Sequence, residues 1–395
     1  MPQPIRIVYA IPSLEDGGAE RQLLELLRRL DRSRFEPSLV LLDGRRAQRA
    51  SGLVVHVLDL AMPSGGNVRW LRRSLSFFTA VWRMRRCFRL WRTEMLHAFL
   101  PAPTILAGTA ARMAGVPVII AARRSLSAHY RPRGPAALFD RLATRAADWK
   151  VGNSNAVAED ICRDGCSPAR VVTLYNGVDT EKFHPGRARD WRSQMGWSAE
   201  NVVFGMIANF RACKRHLDFV EAFARVSTTN PNLRSFLAGN DSGTLAAVRR
   251  RIATLGLQSV CRIVENEVPP ETMFAALDVF VSASDTEGFS NVVLEAMASG
   301  RPVIATAVGG NMEAVVDGVS GILVPACAPD VLAVALTRLA GDAGLRASMG
   351  EQGRQRALQC FSIDTMVRAH VEFYLRAIAT ASARVPGSAR AAAQS

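Results

Sequence analysis

At 395 residues the chain is long enough for two domains of ordinary size, each with its own core. Hydrophobic residues make up 49% of it and charged residues 21%, globular values that exclude a fibrous or disordered chain. The net charge of +14 favours an anionic partner: a membrane surface, a nucleic acid or a phosphorylated substrate. Arginine supplies nearly all of that charge, since the only lysines are Lys150, Lys182 and Lys214. No uncharged apolar run reaches the roughly 18 residues of a spanning helix. The first residues enter an apolar strand with no leader pattern, so a cytoplasmic location is expected. The seven cysteines are scattered, and no second pair or histidine cluster completes a zinc set around Cys162 and Cys166.

Ile5–Ile11 predicts a first strand, and a polar loop ending at Gly17 and Gly18 follows it. Leu23, Leu24, Leu26, Leu27 and Leu30 then mark one helical face over Ala19–Leu30. Neither a dinucleotide fingerprint nor a P-loop is present, so the Gly-Gly pair by itself is equally a turn. Ser38–Leu42 and Val54–Leu58 read as strands. Trp70–Arg92 reads as a basic helix, in which Arg83, Arg86 and Arg89 interleave with Phe78, Trp82 and Phe88. Its arginines are either simply solvated or also touch anionic lipid headgroups. Nucleic acid is not expected, because no nucleic-acid motif accompanies the charge.

Further on, Glu94–Phe99, Val116–Ala121, Trp149–Gly152 and Val171–Leu174 are strands. They alternate with helices over Thr104–Ala114, Asp140–Ala147 and Ser154–Arg163, the last capped by Ser154. The β-α-β alternation predicts a mainly parallel sheet. Residues 179–200 are polar, carry Pro185, Gly186 and Gly196, and read as a connection. A second series follows, with strands at Val202–Ala208, Arg234–Ala238, Val260–Val264 and Val279–Ala283. Helices at 329–339 and 343–359 and an amphipathic helix at 363–379 lead into a small, polar tail expected to be disordered.

The stretch Asp285–Pro325 organises the second series. A polar loop carries Glu287 and Gly288, and a helix with Glu295 begins near Val292. Gly300 stops that helix, a buried strand follows at Pro302–Ala305, and Gly309–Gly310 turns the chain. A strand, a glycine loop and a helix N-terminus make a ready anion site. Eight residues apart, Glu287 and Glu295 would differ by about 80° on one helix and cannot form a close pair. One acid at the loop mouth and one behind it suit two hydroxyl-bearing parts of one ligand, although Glu295 alone could be a surface acid. Lys214, written where this chain otherwise writes arginine, stands near Arg211. The two would hold a diphosphate between a point charge and a planar fork, or else be solvated loop cations.

The run E-G-F-S-N-V-V-L-E-A-M-A-S-G-R-P-V-I-A-T-A-V-G-G closely resembles the E-x7-E signature of retaining glycosyltransferases of family 4. The resemblance extends to G-G-A-E at Gly17–Glu20, N-S-N-A-V-A-E-D at Asn153–Asp160, Y-N-G-V-D-T-E-K-F-H-P at Tyr175–Pro185 and N-F-R-A-C-K-R-H at Asn209–His216. It implies an α/β GT-B fold, with two Rossmann-like domains whose parallel sheets face across a cleft and a C-terminal helix crossing back. The domains would be 1–178 on the acceptor side, a connection at 179–200, 201–362 for the nucleotide sugar, a crossover helix at 363–381 and a tail at 382–395.

It also implies sugar transfer from a nucleotide sugar to a glycan or lipid-linked acceptor in envelope or extracellular polysaccharide synthesis, with retained configuration, no cofactor and no metal. Glu287 would lie near the donor sugar, and Arg211 and Lys214 would neutralise the leaving diphosphate. Glu295 would bind ribose hydroxyls, and Gly17, Gly18, Gly288, Phe289, Ser290 and Asn291 would hold the donor. Peripheral membrane attachment would run through Arg69–Arg92. Many members carry a histidine after the strand ending here at Ala122, where this chain has Arg123 and Arg124. A 2-epimerase-like enzyme of the same fold and a non-catalytic nucleotide-sugar-binding partner are the competing readings.

Overall fold

A computed structural model describes residues 3–15, 17–44, 46–51, 53, 56–60, 70–127, 135–186, 190–265 and 268–383, with the backbone alone for 70–76 and 135–137. The chain divides into two compact units, Met1–Tyr175 with Met366–Ser395, and Asn176–Thr365.

The first unit runs β1 (Ile5–Ile11), α1 (Gly18–Arg29), β2 (Phe35–Leu41), β3 (His56–Asp59), α2 (Trp70–Leu90), β4 (Met95–Phe99) and α3 (Pro101–Ala114). It continues through β5 (Val118–Arg123), α4 (Pro135–Ala146), β6 (Trp149–Gly152), α5 (Asn155–Arg163) and β7 (Val171–Thr173). The strands pair in parallel in the order β3-β2-β1-β4-β5-β6-β7. β1 is an almost unbroken apolar run because helices cover both faces of a parallel sheet. α1 instead buries one stripe, Leu23, Leu24, Leu26 and Leu27, as its spacing predicts. α3 ends at Gly115, whose φ of +80° no branched residue accepts easily. α5 starts where the Ser154 hydroxyl accepts from Val157 N at 3.1 Å.

The second unit begins with α6 (Asp190–Gln194) and β8 (Val202–Ile207), then α7 (His216–Ser227), β9 (Leu233–Ala238), α8 (Leu245–Thr254) and β10 (Cys261–Val264). After α9 (Pro270–Ala276) come β11 (Val279–Ser282), α10 (Asn291–Ala298), β12 (Val303–Thr306), α11 (Asn311–Ala314), β13 (Gly321–Val324), α12 (Pro329–Gly341) and α13 (Ala343–Phe361). Its strands are also parallel, in the order β10-β9-β8-β11-β12-β13. Phe204, Phe219, Phe223, Val281 and Leu336 lie in one buried core between this sheet and its helices.

Two boundaries differ from the expectation. The described parts of 179–200, residues 179–186 and 190–200, group with the second unit and do not form a separate connection. Trp191 meets Phe236 edge-on at 5.1 Å, and Arg192 Nε donates to the Ala276 carbonyl at 2.7 Å while its guanidinium pairs with Asp278. The polar composition of the segment hid two anchors, an indole and a buried arginine. The second unit also starts at Asn176, earlier than residue 201. Residues 266–267, most of the tail (384–395) and Arg69 lie outside the described residues.

The last helix, α14 (Ile363–Ser382), belongs to the first unit from Met366 onward. Tyr374 packs edge-on against Phe35 and its hydroxyl lies 2.7 Å from His97 Nδ1 on β4. Phe373 meets Trp149 at 5.6 Å. One turn before Tyr374, His370 Nδ1–H donates to the Met366 carbonyl at 2.8 Å.

Burial holds the His370 imidazole down to about 4 and drives His97 well below its ordinary range, so both are buried neutral. A group with a depressed folded pKa contributes stability that is present above its unfolded pKa and lost as pH falls through the folded one. The first unit is therefore expected to lose stability between pH 6.5 and about 4. His370 alone accounts for roughly 3 kcal/mol of that loss. Hydrogen exchange of α14 across this range checks it: His370→Gln should flatten the dependence, and an unchanged slope would remove His370 as its source.

Candidate active site

In an open parallel sheet, ligands bind at the carboxyl ends of the strands where the strand order reverses. In the second unit that point lies between β8 and β11, because β8 is followed by β9 on one side and paired with β11 on the other. The two loops leaving β8 and β11 carry the charged candidates.

After β8 the chain turns through a short 3-10 segment, Ala212–Lys214, into Arg215, a non-glycine residue at φ +55°. That left-handed residue makes the sharp entry into α7. His216 folds back, its ring stacked on Phe210 at 4.5 Å and its Nε2–H donating to the Ala208 carbonyl at 3.2 Å. Burial brings its imidazole down to about 4, so it serves as a neutral clip on the loop. After β11, the Asp285 amide donates to the Cys213 carbonyl at 3.0 Å and ties the two loops together.

The result is an ion pair 73 residues apart in sequence: Lys214 Nζ donates to Glu287 Oε1. The same carboxylate oxygen accepts from the Ser284 hydroxyl at 2.8 Å. Both side chains are largely withdrawn from solvent, at 24% exposure for Lys214 and 12% for Glu287. Arg211, on the same loop, is exposed. Lys214 and Glu287 therefore form one unit, where the sequence suggested a cation for one part of a ligand and an acid for another.

Behind Glu287 the backbone is held tightly. Gly310 N donates to the Gly288 carbonyl at 3.1 Å, and a Cβ on Gly310 would fall 2.3 Å from that oxygen, so only glycine fits there. Phe289 is buried with its ring 5.3 Å from Phe361. The Asn176 amide donates to the Phe289 carbonyl at 3.1 Å and to Asn291 Oδ1 at 2.7 Å. Ser290 is buried and starts α10, whose first intrahelical bond runs from Leu294 N to Ser290 O at 3.3 Å. The amides of the first turn have no intrahelical acceptor, which makes this end electropositive.

Glu295 is 6% exposed, in a helix whose other residues from Val293 to Ala298 are all apolar and buried. The surface-acid reading of Glu295 is thus excluded. Ser284 and Asn176 escaped the sequence reading; the only signal for Asn176 was its place in the Tyr175–Pro185 match. Asn311 was missed as well: fully buried, its amide donates to the Thr306 carbonyl at 3.1 Å.

In the first unit, Gly17 caps α1, and Arg21 N donates to its carbonyl at 3.2 Å. Glu20 folds back so closely that a Cβ on Gly17 would meet its carboxylate. Burial pushes the Glu20 carboxyl up, against the pull of Arg124. Arg124 lies over the Phe99 ring at 5.6 Å. Arg123 is not at a loop mouth: it is the last residue of β5 and is buried among three aspartates. Among the described residues no group of three metal-ligating side chains converges.

Two parallel, doubly wound sheets in one chain, with the charged pair at the switch point of the second, define the GT-B class of α/β fold. The family model for "Glycosyltransferase Family 4" matches residues 16–182, and that for "Glycosyl transferases group 1" matches residues 188–356. Each model matches a little under half of the chain and the two between them most of it, so the chain is similar to the glycosyltransferases they describe. It is 33% identical over 238 residues to the D-inositol 3-phosphate glycosyltransferase of Kribbella flavida, covering 57% of this chain and 56% of that protein. It is 32% identical over 276 residues to the one of Salinispora arenicola, covering 64% and 60%. The matches thus span little more than half the length of these curated relatives. Among solved structures, a glycosyltransferase from Rickettsia africae superposes with a TM-score of 0.83 at 19% identity, over 95% of this chain and 99% of that one. Anabaena HepE in complex with UDP and glucose gives 0.81 at 20% identity, over 94% and 100%. At these identities the structural likeness speaks to the fold.

Proposed function

We propose that this chain is a retaining glycosyltransferase that moves a sugar from a nucleoside diphosphate sugar to a glycan or lipid-linked acceptor in envelope or extracellular polysaccharide synthesis. The observation that carries this reading is the Lys214–Glu287 pair at the switch point of the second sheet, one turn before the α10 N-terminus. Lys214 and Arg211 receive the diphosphate, and Glu287 holds the donor sugar while neutralising part of the lysine charge. Gly288 and the amides of Phe289, Ser290 and Asn291 cradle the sugar and phosphate, and Glu295 accepts from the ribose hydroxyls. Gly17 and Gly18 are the first unit's candidates for the donor.

In the step itself the bond from C1 to the β-phosphate oxygen breaks, and its electron pair leaves with the diphosphate. The acceptor oxygen bonds to C1 from the same face and its proton passes to the departing phosphate. Charge on the leaving group is met by two cationic side chains and a helix N-terminus, so the reaction needs no metal. The Arg69–Arg92 segment is assigned to the cytoplasmic membrane surface, where a lipid-linked acceptor would be presented.

The test is a thermal-shift screen of UDP-, GDP-, ADP- and dTDP-sugars, followed by product analysis by NMR with the donor that binds. A glycoside with the anomeric configuration of the donor, formed equally in the presence of a chelator, is expected. A free epimer, an inverted product, or binding without turnover across a broad acceptor panel would overturn the reading.

A further inference from the structure

The face of the first unit formed by α2, α3 and α4 has a composition that catalysis in the second unit does not explain. α3 lies between the other two and packs against both. Right-handed crossovers place all three on one side of the sheet, and side chains of α2 and α3 enter the same buried cluster. Their ends are laced together: Arg85 Nε on α2 donates to the Met113 carbonyl at 3.2 Å, and Arg112 on α3 donates to the Ala146 carbonyl of α4.

The outward side of this layer is apolar where solvent should favour polar groups. Phe78 and Trp82 on α2, Met113 on α3, and Leu138, Phe139 and Leu142 on α4 are each at least 50% exposed. Single exposed apolar residues need no explanation, but six on three adjoining helices, two of them aromatic one turn apart, do. The charges around them have one sign. α2 carries six arginines, α3 one and α4 two, against a single acid, Asp140. Asp140 is buried and turned to Arg123, so the exposed surface of these helices offers no negative charge.

We infer that the α2–α3–α4 face docks on an anionic lipid bilayer, with the six apolar side chains entering the headgroup boundary and the arginines meeting lipid phosphates. The chemistry selects lipid over other occupants: apolar anchors on helices with a large excess of arginine match an interface that is apolar beneath and negative above. A second copy of this chain would bring its own arginines against these. The inference extends the membrane assignment of Arg69–Arg92 to α3 and α4, and its test needs no sugar donor, so it can fail while the transferase reading stands.

Flotation of the whole chain with vesicles is the experiment. The chain should float with phosphatidylcholine vesicles containing roughly a third phosphatidylglycerol, float far less with pure phosphatidylcholine, and release as salt rises. The pairs Phe78→Ser/Trp82→Ser on α2 and Phe139→Ser/Leu142→Ser on α4 should each lower the partition coefficient about tenfold or more. Thermal melting should stay unchanged, because these side chains already face solvent. Equal flotation with neutral vesicles, or an α4 pair that floats like the parent, overturns the inference. So does light scattering that shows either pair dissolving a dimer while vesicle binding persists.

Discussion

Lys214→Ala is expected to lower the transfer rate by about 10²–10³-fold, the size of effect seen when one charge-stabilising donor is removed from a preorganised site. The geometry makes the loss larger than that of a loop cation. Lys214 and Glu287 share a hydrogen bond and are 24% and 12% exposed, so truncating the lysine strands a carboxylate beside the incoming diphosphate. The same coupling predicts non-additivity. Glu287→Ala should be comparably slow, and the double variant little worse than either single one, because both remove the same unit. Lys214→Arg keeps the charge but replaces a compact ammonium with a planar fork, and should recover only part of the rate. Initial rates for the four variants with the donor found by thermal shift decide the matter. If Lys214→Ala keeps more than about a tenth of the parent rate, the pair is not the catalytic unit.

This pair also shows how far the sequence could be read. The strands and helices were visible because each carries a local periodicity: Ile5–Ile11 and the helical runs at 329–339 and 343–359 are continuous patterns. The loops were visible too, since Gly-Gly, E-G-F and the basic run at Arg211–His216 interrupt those patterns. What sequence could not supply was which loop meets which. Lys214 and Glu287 come together only because β8 and β11 are neighbours, and strand order is a property of the sheet, not of any window along the chain. Ser284 and Asn176 were missed for the same reason: Ser284 reads as a strand-end polar residue and Asn176 as a turn former until their partners are known. The segment 179–200 was misread because composition is an average, and Trp191 and Arg192 do the packing in an otherwise polar stretch. Glu295 was underestimated. A lone acid inside N-V-V-L-E-A-M-A sits in a helix apolar on every side, and such a helix is buried.

Arg123 was misplaced by one residue at a strand end, and its chemistry changed entirely. Read after Ala122, it stood with Arg124 just past a strand, where many related chains carry a histidine. As the last residue of β5 it points inward, with Nη1 2.8 Å from Asp164 and 3.3 Å from Asp160, and Nη2 3.9 Å from Asp140. Asp160 also accepts from the Ser127 amide and hydroxyl, at 2.8 and 2.9 Å. One guanidinium thus fastens β5 to α4 and α5, and it is itself only 7% exposed. Removing it takes the shared cation from three carboxylates, leaving Asp164 with the more distant Arg141 and Asp160 with Arg163, each at 3.8 Å, and breaking a buried pair from one side costs about 3–5 kcal/mol. Arg123→Ala should therefore destabilise the first unit by that amount, which is a large fraction of the stability of an ordinary domain.

The pH dependence separates this account from a simple packing defect. Burial already pushes the Asp140 carboxyl up, with Arg123 pulling against it and Asp164 adding to the rise. Without Arg123 the Asp140 carboxyl should rise further above its unfolded value, and a group with a raised folded pKa stabilises the fold at low pH and loses that contribution as pH increases. The deficit of Arg123→Ala should thus narrow as pH falls from about 7 towards 5. Because the chain holds two units, the measurement is hydrogen exchange of α4 and α5 rather than a single melting temperature. A deficit under about 1 kcal/mol, or one that does not change with pH, would show that the aspartates are satisfied without Arg123.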